Sequence, residues 1–402
     1  MDEVTELSVW ADDALAGRLS RQDGRRYVFN YSAASADAAV SLTMPVRMES
    51  WVIPELHPIF QMNLPEGALL AAIRQAIAKL IGDDDLSILR VTGGNQVGRN
   101  RFSLPGAVAP GLVESPESLE ELLTYPDTTE LFHELISRYA LRSGISGVQP
   151  KVMLDATQRG TIASAGYIVK SWGTDYPQLA ANEFFCMSAV KLAGLPVPEF
   201  YLSDNGGLFV MKRFDVNPID NRPLGFEDMC VLQGVGASRK YGGTYERVAR
   251  SIRDFVSDRH QMAARKQFFA MLALSIMVRN GDAHLKNFGV LYPSPSAQVT
   301  LAPVYDVITT MAYIRQDVPA LSLAEAKKWW PRKVLEQFAI THLSLPVKTI
   351  GEIIEGIADA VMQTRLLIPH YSDDHPEFRE IGTRMTAIWE DGVRSLSDKT
   401  LP

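Results

Sequence analysis

The chain has 402 residues, of which 46% are apolar and 22% charged, and its formal net charge is −7. This balance supports packed domains rather than disorder, and the acidic excess denies the chain a broad cationic surface for nucleic-acid phosphates. Its two cysteines, Cys186 and Cys230, each sit in an apolar setting, which argues against a disulfide framework and fits a reducing cytoplasm. The start, Met1-Asp-Glu-Val-Thr-Glu6, is acidic where a signal peptide is basic, and no apolar run approaches the ~20 residues that span a bilayer. A cytoplasmic protein without membrane partners is the expectation.

From residue 7 to about 50, short apolar runs such as Leu7-Ser-Val-Trp10 and Tyr27-Val-Phe-Asn-Tyr31 alternate with polar turns, as in antiparallel hairpins. Leu69, Leu70, Ile73, Ile77 and Leu80 then recur at helical spacing, predicting a helix from Gly67 to Ile81. The segment Leu104 to Gly111, with two prolines and two glycines, breaks both periodicities and marks a boundary, followed by a charged helical region from Pro116 to Leu141. Two apolar strands, Tyr167 to Lys170 and Leu208 to Met211, flank a helix from Ala180 to Ala193, which is expected to lie on their sheet. Beyond Asp254 the pattern is helical. The run Gln267 to Val278 is apolar on nearly every face, as in a helix at the centre of a domain. Amphipathic helices follow around Ile350 to Val361 and Ile381 to Trp389. The expected fold is α+β: residues 1–105 form a β-rich subdomain, 106–215 an α/β lobe and 216–402 a helical lobe.

Certain residues occur in the order that metal-assisted phosphoryl transfer needs. Asp282 stands in a Gly-Asp turn directly after the buried run, so a rigid support would hold an accessible carboxylate there. Asn287 and Asp306 offer hard oxygens suited to Mg²⁺. Lys170, ending an apolar strand, needs an anionic partner, and Glu183 on the next helix can supply one. Ser143-Gly-Ile-Ser-Gly-Val-Gln-Pro-Lys151 has two glycines three apart, so its backbone N–H groups could approach phosphate, although it is no Walker A sequence. The plainer alternatives are that Asp282 and Asn287 make only turn contacts and that Lys170 lies along the surface. Trp329 and Trp330 fit a core anchor better than an exposed contact, and the spacing of His370 and His375 suits no zinc pattern.

Asn63-Leu-Pro-Glu-Gly67, Ser146-Gly-Val-Gln-Pro-Lys151, Tyr167-Ile-Val-Lys170, Asn182-Glu-Phe-Phe185, Lys212-Arg-Phe-Asp215, Phe226-Glu-Asp-Met229, Gly281-Asp-Ala-His-Leu-Lys-Asn-Phe288 and Pro303-Val-Tyr-Asp306 follow one another along nearly the whole chain. In this the chain resembles the HipA-type kinases, toxin components of bacterial HipA/HipB-like toxin–antitoxin pairs. The resemblance implies a two-lobed, kinase-like fold and an ATP- and Mg²⁺-dependent serine/threonine protein kinase. It makes Asp282 the catalytic aspartate, Asn287 and Asp306 the Mg²⁺ ligands and Lys170 the phosphate-contacting lysine. The backbone of Lys212, Arg213 and Phe214 would meet the adenine, while Gly147, Val148, Gln149 and Lys151 would close over the phosphates. His284 and Lys286 lie within the catalytic loop, as nucleotide contacts or as structural residues. Glu227-Asp228 would begin a segment near the protein substrate or form a solvated turn. Where family members commonly carry an autophosphorylated serine this chain has Gly144, which leaves Ser146, ahead of Ser143, as the candidate. The implied partners are a HipB-like helix-turn-helix antitoxin, operator DNA mainly through that antitoxin, and a protein substrate, plausibly an aminoacyl-tRNA synthetase. The rival readings are a kinase-like enzyme for a small molecule, and a catalytically weak binding or co-repressor component.

Overall fold

Leu7, Leu19 and Phe29 stand opposite one another on three neighbouring strands, and none of the three is exposed. Such cross-strand apolar rows fix the register of a sheet, because a slip of one residue would turn each side chain to the other face. In this computed structural model, which describes residues 4–22, 26–94, 96–109, 118–135, 160–164 and 166–397, the row lies in a five-stranded antiparallel sheet. The strand order is Trp51–Ile53, Arg26–Tyr31, Ala14–Gln22, Glu6–Ala11, Asn100–Ser103. The expected helix forms over Gly67–Ile81 and buries Leu69, Ile73 and Ile77.

Two compact units divide the described residues. The first draws on Met1–Pro177, Ser203–Ala237 and Leu291–Val299, the second on Gln178–Leu202, Ser238–Val290 and Thr300–Pro402. Besides the five-stranded sheet, the first unit pairs Gly160–Ala163, Tyr167–Ser171 and Leu208–Lys212 as antiparallel neighbours, with Val169 opposite Val210 at its buried centre. The helix expected between these strands runs Leu179–Leu192, and its residues group with the second unit.

Two buried carboxylates knit the first unit together. Asp215, fully buried, accepts from Arg213 at 2.6 Å and from the Gly98 N–H at 2.7 Å, while Arg213 also donates to the carbonyls of Gln96 and Ser164. Burial alone would raise the Asp215 pKa, but the guanidinium and the amide overcome it and hold the carboxyl below its ordinary value. Glu227 is also fully buried and accepts from Ser41 Oγ, Leu42 N–H and Tyr292 Oη, at 2.7, 2.7 and 2.5 Å. Burial dominates there, and pushes its pKa up from 4.5 to about 7 against the pull of the three donors. A solvated turn does not describe Glu227-Asp228. Asp228 is 1% exposed and caps the short helix Met229–Leu232 by accepting from the Val231 N–H.

In the second unit the helix Gln261–Met277 is buried at every residue from Gln267 onward. Tyr245, Phe268, Phe288 and Trp330 meet edge to face around it, so Trp330 is a core anchor. The amphipathic helices form over Val347–Arg365 and Arg379–Arg394. Cys186 and Cys230 are both buried, and they are not joined in a disulfide. Among the described residues no helix is long and apolar enough to cross a membrane.

Two measurements check the buried charges. Asp215→Ala leaves the Arg213 guanidinium buried without its carboxylate, and should lower the unfolding free energy by about 3–5 kcal/mol in chemical denaturation. Glu227 binds its proton more tightly folded than unfolded, so its contribution is complete below pH 4.5 and is lost as pH rises to about 7. Glu227→Gln should therefore flatten the fall in melting temperature across that window; an unchanged slope would assign the fall elsewhere.

Candidate active site

The central helix stops at Met277, and the chain turns sharply through Arg279, whose φ of 55° lies in the left-handed region. Side chains of buried residues hold the turn. Asn280, 2% exposed, accepts from the Asp282 N–H at 3.1 Å through its side-chain oxygen, and the Gly281 N–H donates to Thr310 Oγ1 at 2.7 Å. A Cβ at residue 281 would sit 1.9 Å from the Asp317 carboxylate, which is why glycine precedes Asp282. Asp282 is half-buried at the end of this rigid support, and its Oδ1 accepts from the Tyr241 hydroxyl at 2.7 Å.

The loop closes on itself three residues later. The His284 N–H is shared between the Asp282 carbonyl at 2.7 Å and Asn287 Oδ1 at 3.2 Å, and a single 3₁₀ turn covers Leu285–Asn287. Asn287 Nδ2 in turn donates to Asp306 Oδ2 at 2.6 Å, and Asp306 holds a left-handed φ of 61°. Asp tolerates that conformation better than most residues. Two contacts anchor the Asp306 segment. Tyr305 Oη donates to the Lys286 carbonyl at 2.7 Å, and fully buried Asn182 exchanges two hydrogen bonds with the Thr309 backbone, at 2.8 and 3.1 Å.

The structure thus gathers Asp282, His284, Lys286, Asn287 and Asp306 in one part of the second unit. His284 is 6% exposed, with its ring edge-on to Tyr241 at 5.0 Å. Among the described residues no three His, Cys, Asp or Glu side chains converge as a metal cage. An amide oxygen and a carboxylate nevertheless fit Mg²⁺, which commonly takes one or two protein oxygens and completes its shell with phosphate and water. Asn287 Oδ1 accepts one bond and keeps a second lone pair.

Lys170, Lys212, Arg213 and Phe214 belong to the first unit. The Lys170 ammonium lies 5.8 Å from the Phe209 ring centroid, and Lys212 is exposed at its strand end. The Arg213 N–H already donates to the Gly166 carbonyl, so its side chain and its amide are both engaged within the fold. Glu183 is 2% exposed on a helix of the second unit. Ser143, Ser146, Gly147, Val148, Gln149 and Lys151 lie outside the described residues. Thr310, Asp317 and Tyr241, which hold the loop, were not singled out by sequence reasoning. For Tyr241 the signal was available in Lys240-Tyr-Gly-Gly243, an aromatic residue before paired glycines.

Residues 7–103 match the HipA N-terminal domain and residues 143–365 the HipA-like C-terminal domain. "Putative kinase Y4dM" of Sinorhizobium fredii is 27% identical, over 98% of this chain and 94% of its own length. The serine/threonine-protein kinase toxin HipA of Shewanella oneidensis is 25% identical, over 92% of each chain. In fold, a chain from the Shewanella oneidensis toxin–antitoxin complex of HipA, HipB and operator DNA superposes with a TM-score of 0.72 at 18% identity, covering 98% of this chain and 100% of that one. The mixed α/β architecture with its helical C-terminal region is therefore that of HipA, and with both domain matches in place the chain belongs to the HipA family.

Proposed function

We propose that the chain is an ATP- and Mg²⁺-dependent serine/threonine protein kinase that acts as a growth-arresting toxin. The observation that carries the chemistry is the single loop in which the His284 N–H joins the Asp282 carbonyl to Asn287 Oδ1, while Asn287 Nδ2 meets Asp306. Asp282 would accept the hydrogen bond of a serine or threonine hydroxyl and orient its oxygen for attack. Asn287 and Asp306 would hold Mg²⁺, which supplies positive charge against the phosphate oxygens. We assign Lys170 to the nucleotide phosphates and the backbone around Lys212 to the adenine, on the family resemblance, with Ser146 as the candidate for autophosphorylation.

The names of relatives support the wider reading. The Shewanella oneidensis relative is named a kinase toxin, and the chain alike in fold comes from a complex with HipB and operator DNA. A HipB-like helix-turn-helix antitoxin is accordingly the proposed partner, with operator DNA reached through it, in keeping with a net charge of −7. An aminoacyl-tRNA synthetase is the proposed target, on the resemblance alone.

Labelled ATP, Mg²⁺ and bacterial lysate mixed with the purified chain provide the test. Label should enter a small number of proteins on serine or threonine, and Asp282→Ala should slow it by about 10²–10⁴-fold. Label confined to small molecules would favour the small-molecule reading, and no transfer, or transfer indifferent to Asp282→Ala, would overturn both.

A further inference from the structure

Tyr241 is 45% exposed, so its ring contributes little to the core, yet the segment that carries it is tied down along its length. The Leu285 N–H donates to the Lys240 carbonyl at 3.2 Å, the Lys327 ammonium to the Tyr241 carbonyl at 2.9 Å, and the Ser322 N–H to the Gly243 carbonyl at 3.3 Å. Gly243 itself packs against the loop, since a Cβ there would lie 2.8 Å from Leu285 Cδ2. The Tyr241 ring is braced edge-on by the His284 imidazole. The result of all these contacts is a phenol hydroxyl fixed 2.7 Å from Asp282 Oδ1.

We propose that Tyr241 is a positioning residue for Asp282, an inference that rests on the kinase reading above. A carboxylate rotates readily about its Cβ–Cγ bond, because that torsion is broad and nearly two-fold. One fixed donor removes this freedom. Tyr241 is the only hydrogen-bond donor that reaches the Asp282 carboxylate among the described residues, and it engages Oδ1 alone. Oδ2 is thereby left to face an incoming hydroxyl. The choice of donor matters as much as its position. Lysine or arginine would hold the carboxylate by neutralising it, whereas a phenol is neutral and orients it with its charge intact. In the proposed reaction the acceptor hydroxyl passes its proton to Oδ2 as its oxygen bonds the γ-phosphorus and ADP departs.

Tyr241→Phe keeps the ring and its contact with His284, and removes only the hydroxyl. With labelled ATP, Mg²⁺ and lysate protein as acceptor, kcat should fall about ten- to a hundredfold, the loss of one hydrogen bond to a charged group, with KM for ATP held within about twofold. The melting temperature should stay at the parent value. In an Asp282→Asn background the same substitution should have almost no further effect, because the two residues act as one unit. Parent-like kcat in Tyr241→Phe, or an equal proportional loss in the Asp282→Asn background, would overturn the positioning role and leave the kinase reading standing. A parent chain that transfers no label at all would take down the kinase reading, and this inference with it.

Discussion

The hydroxyl of Thr310 ties together the two segments on which the candidate site is built. It accepts from the Gly281 N–H, directly before Asp282, and its own proton lies within reach of the Arg279 carbonyl at 3.0 Å and of the Asp317 carboxylate. Thr310 is 7% exposed, so water offers little competition for these bonds. Both ends of the arrangement carry backbone strain, at Arg279 and at Asp306, of about 1–3 kcal/mol each. The central helix offsets it. Phe268, Leu272 and Ile276 are each at most 1% exposed, and a fully buried side chain of that kind stabilises by about 1.5–3 kcal/mol. The strained loop is thus rooted at the end of three turns of fully packed apolar helix.

The two units use carboxylates in opposite ways. In the first, Asp215 and Glu227 are sealed from water, one paired with a guanidinium and the other surrounded by three donors, so their chemistry is spent on holding segments together. Hydrogen bonds to these carboxylates join residue 98 to 215 and residue 42 to 227. In the second, Asp282 stays half-buried with one oxygen bonded by a neutral group. Burial with full satisfaction makes a carboxylate structural, while partial exposure on a rigid support leaves it able to react.

Local pattern made part of this legible. The helix Gly67–Ile81 and the buried run after Gln267 could be read because each is specified by spacing within a few turns. Asp282, Asn287 and Asp306 stand out in the sequence because oxygen-bearing residues follow one another in the order that phosphoryl transfer needs, and the structure brings Asn287 and Asp306 into contact. What escaped was nonlocal. Nothing within ten residues of Glu227 indicates that Ser41 and Leu42 will close over it, so the burial of this acidic pair is not legible in the local sequence. Thr310 is an ordinary residue in sequence and Tyr241 is marked only by the paired glycines after it; their role appears where the chain returns to the loop, 29 and 41 residues away.

The identity of residue 287 follows from what its neighbours demand. Its side chain must accept from the His284 N–H and at the same time donate to the Asp306 carboxylate at 2.6 Å. Aspartate could do the first but not the second, and would set two carboxylates against each other at contact distance, raising the pKa of one of them. Serine is too short to span both, and lysine has no acceptor. Asparagine supplies an oxygen and a donor from one planar group, fixed in the orientation that the two partners require. The amide thus sets a hard oxygen beside Asp306 without adding charge.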